Sequence, residues 1–227
     1  MRGKIELIYI SRAFPAVLAV LLLVGLLFYG GETSTSDVYD YPIKPGTDEW
    51  KAFGSHEEML KACQIPEEIL HRMSTTALVE TVLNYPLIMD WLAYDTFEIG
   101  IESVRKQFNG LSELLSRNDA GVSLMALYQT IDPTTWDVDS PIAERAEYYF
   151  RLLNIELLLS KDSVISNLSV ADLQNLICQA RIICESKLLR SDIFGDYSLQ
   201  FTSTIIEKAE QAILLKRYGN DYDVYSG

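Results

Sequence analysis

The fold turns on MSTTALVETVLNYPLIMDW, residues 73–91. Ser74 stands where a helix N-cap belongs, and Leu78, Val79, Val82 and Leu83 follow at helical spacing. Pro86 ends that helix, because the residue before a proline disfavours helical geometry. Leu87, Ile88, Trp91 and Leu92 then predict a second short helix with one apolar face. Glu80 and Asp90 have no role in this pattern and are expected on a solvated face.

The same grammar extends in both directions. Ser55-His56-Glu57-Glu58 reads as a capping box, and Pro66-Glu67-Glu68 as a helix start with acids at the positive dipole end. Asp95-Thr96-Phe97-Glu98 is a further start, followed by Phe97, Ile101, Val104 and Phe108, with Asn109-Gly110 as the stop. Leu111, Leu114 and Leu115 follow, then Leu124, Met125, Tyr128 and Ile131. Ser140-Pro141 opens a long helix with Ile142, Ala146, Tyr149, Leu153 and Leu157 expected inward. Ser169 caps another, with Leu173, Ile177, Ala180, Cys184 and Leu188 on one face. Residues 191–198, SDIFGDYS, read as a turn, and Thr204 with Glu207 as a cap pair of the last helix. Period-two alternation is nearly absent, so the expectation is an all-α, compact multi-helical domain, with stacked antiparallel pairs as one arrangement. The expected layout is an N-terminus at 1–12, an apolar segment at 13–31, a linker at 32–47, a helical domain at 48–218 and a polar tail at 219–227.

The apolar segment contains FPAVLAVLLLVGLLFYGG, residues 14–31, about 18 positions without a charge. Arg2, Lys4 and Arg12 precede it, and Glu32 and Asp37 follow, which keeps the N-terminal end in the cytoplasm and the body outside. An uncleaved signal anchor and a cleaved signal peptide lead, with a buried soluble helix as the third reading; a lipoprotein anchor would need a Cys after the run, and none follows it. Bulky Phe28 and Tyr29 near any cut favour the anchor. On either leading reading the body is extracytoplasmic, membrane-anchored or secreted, and a membrane is the first partner expected.

Charge excludes one class of function. The net charge is −13, with no dense Lys/Arg run, so nucleic acid is not an expected partner. Of the three cysteines, Cys178 and Cys184 lie six apart in a predicted helix, about 9 Å along it, too far for a disulfide. Cys63 could pair with either; three buried small hydrophobes is the preferred reading.

Chemistry-bearing motifs are few. The two histidines, His56 and His71, fall in no zinc or hydrolase signature. Cys63 and His71 are considered as a pair in space, with a buried thiol and a surface imidazole as the commoner outcome. Glu57/Glu58 and Glu67/Glu68 are explained by helix N-termini, and Asp221/Asp223 lie in the tail. Asp132, Asp137 and Asp139 share the loop DPTTWDVDSP, residues 132–141, and could hold a hard cation. They lack the calcium-loop spacing, so a plain acidic loop is expected. Among thirteen tyrosines, Tyr39 and Tyr41 precede the domain and Tyr218, Tyr222 and Tyr225 follow it. Packing at the domain ends is expected of them, with peptide or glycan contact as the alternative. Asn167-Leu168-Ser169 fits a glycosylation sequon, but capping by Ser169 is preferred. No catalytic, cofactor-binding or metal-ligating residue is assigned, and no cofactor is expected.

Residues 64–121 resemble a family of uncharacterised exported bacterial helical proteins. The resemblance rests on Pro66-Glu67-Glu68-Ile69-Leu70, Met73-Ser74-Thr75, Leu78-Val79-Glu80-Thr81, Leu83-Asn84-Tyr85-Pro86, Phe108-Asn109-Gly110-Leu111 and Glu113-Leu114-Leu115, in that order, over roughly a quarter of the chain. It implies an exported helical module and no catalytic residue. Some members place such a module ahead of a further domain with a Cys-His pair.

The function expected is therefore a non-catalytic, membrane-anchored extracytoplasmic helical domain that contacts a protein or the cell envelope. An accessory or hydrolytic envelope enzyme is the rival, and a cation or small-ligand sensor the third reading.

Overall fold

Short polar side chains set the helix starts, as the sequence predicts. In a computed structural model that describes residues 37–132 and 141–219, Ser55 Oγ accepts from the Glu58 N–H, Ser74 Oγ from Ala77 and Thr96 Oγ1 from Ile99. Ser169 makes a full capping box with Asp172. Each satisfies an N–H that the helix itself cannot pair. Glu58 reaches one residue further back than a box requires, to the Gly54 N–H at 2.8 Å. Thr96, not Asp95, caps its helix.

The helices are α1 (Asp48–Lys51), α2 (His56–Ala62), α3 (Glu67–Leu70), α4 (Thr75–Leu83), α5 (Phe97–Gln107), α6 (Asn109–Ser116), α7 (Ala120–Gln129), α8 (Ile142–Leu159), α9 (Asp162–Ile165), α10 (Val170–Leu189) and α11 (Ser191–Tyr218). A 3₁₀ segment, Ile88–Ala93, stands where the second short helix of the opening stretch was expected. No strand occurs among the described residues, and the body is all-α. Nor, among them, is any helix long and apolar enough to cross a membrane. The segment at 13–31, Asp137 and Asp139 of the acidic loop, Asp221/Asp223 and Tyr222 and Tyr225 lie outside the described residues.

The core gathers around α4, which packs on α6, α7 and α8. Leu78, Val79 and Val82 are fully enclosed, as their spacing predicted. α10 and α11 form the longest pair, and contacts between Arg181 and Glu210 and between Lys187 and Thr202 show that it runs antiparallel. The expected turn at 191–198 is instead helix, broken at Gly195, whose φ of 57° and ψ of 172° suit glycine and little else. Thr204 lies inside α11 and donates to the Gln200 carbonyl, so it is no cap.

Three inward assignments fail for one reason: at helix ends the apolar stripe outruns the neighbour it packs on. Ile142 is 78% exposed, Leu188 58% and Leu92 50%. Cys178 is exposed, Cys184 half-buried and only Cys63 fully buried, and all three are free thiols.

Two sets of polar contacts fasten distant parts of the chain. Gln64 and Asn109 clasp reciprocally: Gln64 Nε2 donates to the Gln107 carbonyl, Gln64 Oε1 accepts from Asn109 N, and Asn109 bonds both backbone groups of Ile65. Arg117 donates to the carbonyls of Leu70 and Met73 and to Thr75 Oγ1, while its Nε pairs with Glu113.

From Asp37 on, the expected linker is part of the body. Tyr39 N donates to Thr81 Oγ1 at 3.0 Å and Tyr41 Oη to the Thr81 carbonyl at 3.1 Å. Thr81 lies in the middle of α4 with no exposed surface, so the Tyr39 N–H satisfies its hydroxyl and the Tyr41 phenol its carbonyl within the core.

Candidate functional site

The break Asn84-Tyr85-Pro86 after α4 places one aromatic ring between two concavities. Tyr85 is 2% exposed. Its ring stacks on Phe108 at 3.8 Å and tilts against Tyr41 at 6.0 Å. Its hydroxyl is buried and has no hydrogen-bond partner. An orphaned buried hydroxyl is uncommon and calls for a reason.

On one side lies a groove of about 580 Å³, walled by Tyr39, Tyr41, Tyr85, Pro45 and Pro86 and edged by Asp40, Lys44 and Glu147. Burial pushes the phenols of Tyr41 and Tyr85 well up, so both keep their protons at any physiological pH. The tyrosines expected at the start of the domain thus line a groove as well as fill the core.

On the other side lies a cleft of about 270 Å³ between α2, the 3₁₀ segment and α5. His56, the first residue of α2, brings Nε2 to 3.1 Å from Asp90 Oδ2. Burial raises the Asp90 carboxyl, and the His56 imidazole pulls the other way. The facing wall carries Ser103, whose Oγ pairs with Tyr94 Oη and accepts from Gln107 Nε2 at 2.8 Å. The hydrogen-bond partners of Ser103 are thus Tyr94 and Gln107, on the wall opposite the His56–Asp90 pair.

A third polar cluster is sealed. Glu156 and Lys187 have side chains with no exposed surface and meet at 2.6 Å. Lys187 Nζ also donates to the Ser198 carbonyl and Thr202 Oγ1, using all three protons. Glu156 Oε1 accepts from Tyr128 Oη at 2.9 Å and from Thr202 Oγ1 at 2.8 Å. Burial drives the carboxyl up and the ammonium down, and each charge opposes the other's shift. Neither of the two concavities is lined by a residue of this cluster. It is a structural tie between α7, α8, α10 and α11.

The chain matches no known family model, curated protein or solved structure.

The residues weighed in the sequence fall out as follows. His71 is the exposed C-cap of α3 and Cys63 is buried, the commoner of the two outcomes weighed for them. Glu57 pairs with Lys61, and Glu67 and Glu68 occupy the first turn of α3. Among the described residues, no group of three His, Cys, Asp or Glu could hold a metal. Glu80 and Asp90, expected to be solvated, are both half-buried and paired, with Arg151 and His56. What brings His56 to Asp90 is the fold of α2 over the 3₁₀ segment, 34 residues on (90 − 56), and neither residue's neighbours announce it.

Proposed function

We propose that this chain is a non-catalytic, membrane-tethered helical module whose body lies outside the cytoplasm and contacts a protein partner of the cell envelope. The groove of Tyr39, Tyr41, Tyr85, Pro45 and Pro86 carries this reading. Tyr39, Pro45 and Pro86 keep exposed surface there, beside buried Tyr41 and Tyr85, and such rigid rings offer contact area that costs little side-chain entropy on binding. Asp40, Lys44 and Glu147 along the rim supply both signs of charge, which suits a polypeptide better than a uniformly charged polymer. The uncharged run at 14–31, basic residues before it, and the resemblance of 64–121 to exported bacterial proteins support the tether and the location.

A photo-crosslinking amino acid at Pro45 in the full chain, expressed in bacterial membranes, tests the groove. The expected result is a discrete protein adduct that disappears with Tyr39→Ala and is absent when the crosslinker replaces Gln174 on α10. Adducts to glycan or lipid alone, or an adduct indifferent to Tyr39→Ala, overturn the reading.

The tether has its own test. The intact mass of the membrane-extracted protein is expected to match a chain that still begins near Met1. Loss of about 30 residues, the span a signal peptidase removes, replaces the anchored form with a secreted one.

A further inference from the structure

Beyond the groove, we infer that the His56–Asp90 cleft is a second binding site, built for a neutral, hydroxyl-bearing ring of the sugar class. The inference starts from the orphaned hydroxyl. Tyr85 lines the cleft, its ring is fixed by stacking on Phe108, and its Oη lacks a partner though buried. A polar atom held rigidly in that state fits a site whose partner arrives with the ligand.

The other polar groups define that ligand. Tyr94 and Ser103 line the cleft with hydroxyls, which both donate and accept, Gln107 adds an amide that offers both, and the buried Tyr85 hydroxyl belongs to a residue of the same lining. Such a lining matches a ligand whose own groups do both, as sugar hydroxyls do. An anion such as phosphate only accepts, and here it would face the Asp90 carboxylate with no lysine or arginine in the lining among the described residues. A primary ammonium only donates, and it would have to displace His56 from Asp90.

Size and shape agree. The cleft is at the small end of ligand pockets, enough for one ring and not a chain. Tyr94, 40% exposed, gives an aromatic face on which the C–H side of a sugar ring can lie. The partly buried Asp90 carboxylate is the strongest acceptor present, and strong acceptors in dry sites hold hydroxyl donors well.

The test is ligand-detected NMR titration of the full chain in detergent with glucose, N-acetylglucosamine and their β-linked tetramers, with putrescine and inorganic phosphate as charged probes. At least one sugar is expected to bind and neither charged probe. Tighter binding of a tetramer identifies a glycan chain end as the source, and equal binding a free sugar; both support the cleft. Tyr85→Phe is the deciding variant. It keeps the stacked ring and removes a hydroxyl that has no partner in the free protein, so the melting temperature should hold or rise. Affinity should fall about tenfold, the worth of one well-placed hydrogen bond. Ser103→Ala should weaken binding in the same direction. Failure of every sugar to bind, binding of putrescine or phosphate in their place, or unchanged affinity in Tyr85→Phe overturns the inference. Tyr39→Ala, which tests the groove, should leave sugar binding intact, so the two readings fail separately.

Discussion

Lys187→Met is expected to cost about 3–5 kcal/mol of stability, because it strands a carboxylate in a sealed interior. Glu156 would keep Tyr128 and Thr202 as donors but lose the ammonium at 2.6 Å, and the Ser198 carbonyl would lose its side-chain donor. For a domain of this size the melting temperature should fall on the order of 10 °C. The sign of the pH dependence follows from Glu156. Burial already raises its carboxyl, and without Lys187 it rises further. A carboxyl raised in the folded state contributes stability below its unfolded value, and that stability is lost as pH climbs toward the folded value. The deficit of the variant should therefore be smaller at about pH 5 than at about pH 8. Glu156→Gln combined with Lys187→Met removes both charges and should recover most of the loss. Denaturant melts of the three proteins at the two pH values check this. A single variant as stable as the parent, or a double variant no better than the single, would show that the pair is not a closed ionic tie.

Gly100→Ala is expected to be nearly as damaging, about 3 kcal/mol, although alanine is the better helix former. A Cβ at Gly100 would stand 2.3 Å from the Trp91 carbonyl oxygen and 2.8 Å from the Trp91 Cα. These are backbone atoms, so no rotamer change relieves the clash, and α5 would have to lift from the 3₁₀ segment. Trp91 cannot follow easily. Its Nε1 donates to Asn154 Oδ1 at 2.9 Å and its ring meets Phe201 edge-on at 6.0 Å. Gly54→Ala is the control, since its Cβ would meet only the Glu58 carboxyl group, no closer than 3.5 Å. Thermal melts should show a large loss for Gly100→Ala and almost none for Gly54→Ala; equal losses would refute the close-packing account.

Much of this architecture is legible in local residue patterns, because capping and helical periodicity act over a few positions. Ser55, Ser74 and Ser169 announce their helices, and Leu78, Val79 and Val82 their core. Interruptions mislead where tertiary packing overrides them. Gly195 looks like a turn and is a kink, since the helical pairing of α10 with α11 continues past it. The sites are less legible still. His56 and Asp90 meet only because α2 folds over the 3₁₀ segment, and nothing near either residue encodes that approach. Glu156 did carry a signal: it interrupts the apolar run Leu152, Leu153, Ile155, Leu157, Leu158, Leu159, where an ion needs a buried counter-ion. Tyr85 is the opposite case. Its letter suggests packing, and only the fold reveals a hydroxyl left without a partner.

The clasp between Gln64 and Asn109, with Arg117 reaching back to Leu70 and Met73, means that the stretch 64–121 ends close to where it begins. Bonds between positions more than forty residues apart shut this part of the chain into loops, so breaking one frees the conformational entropy of the whole loop it closes.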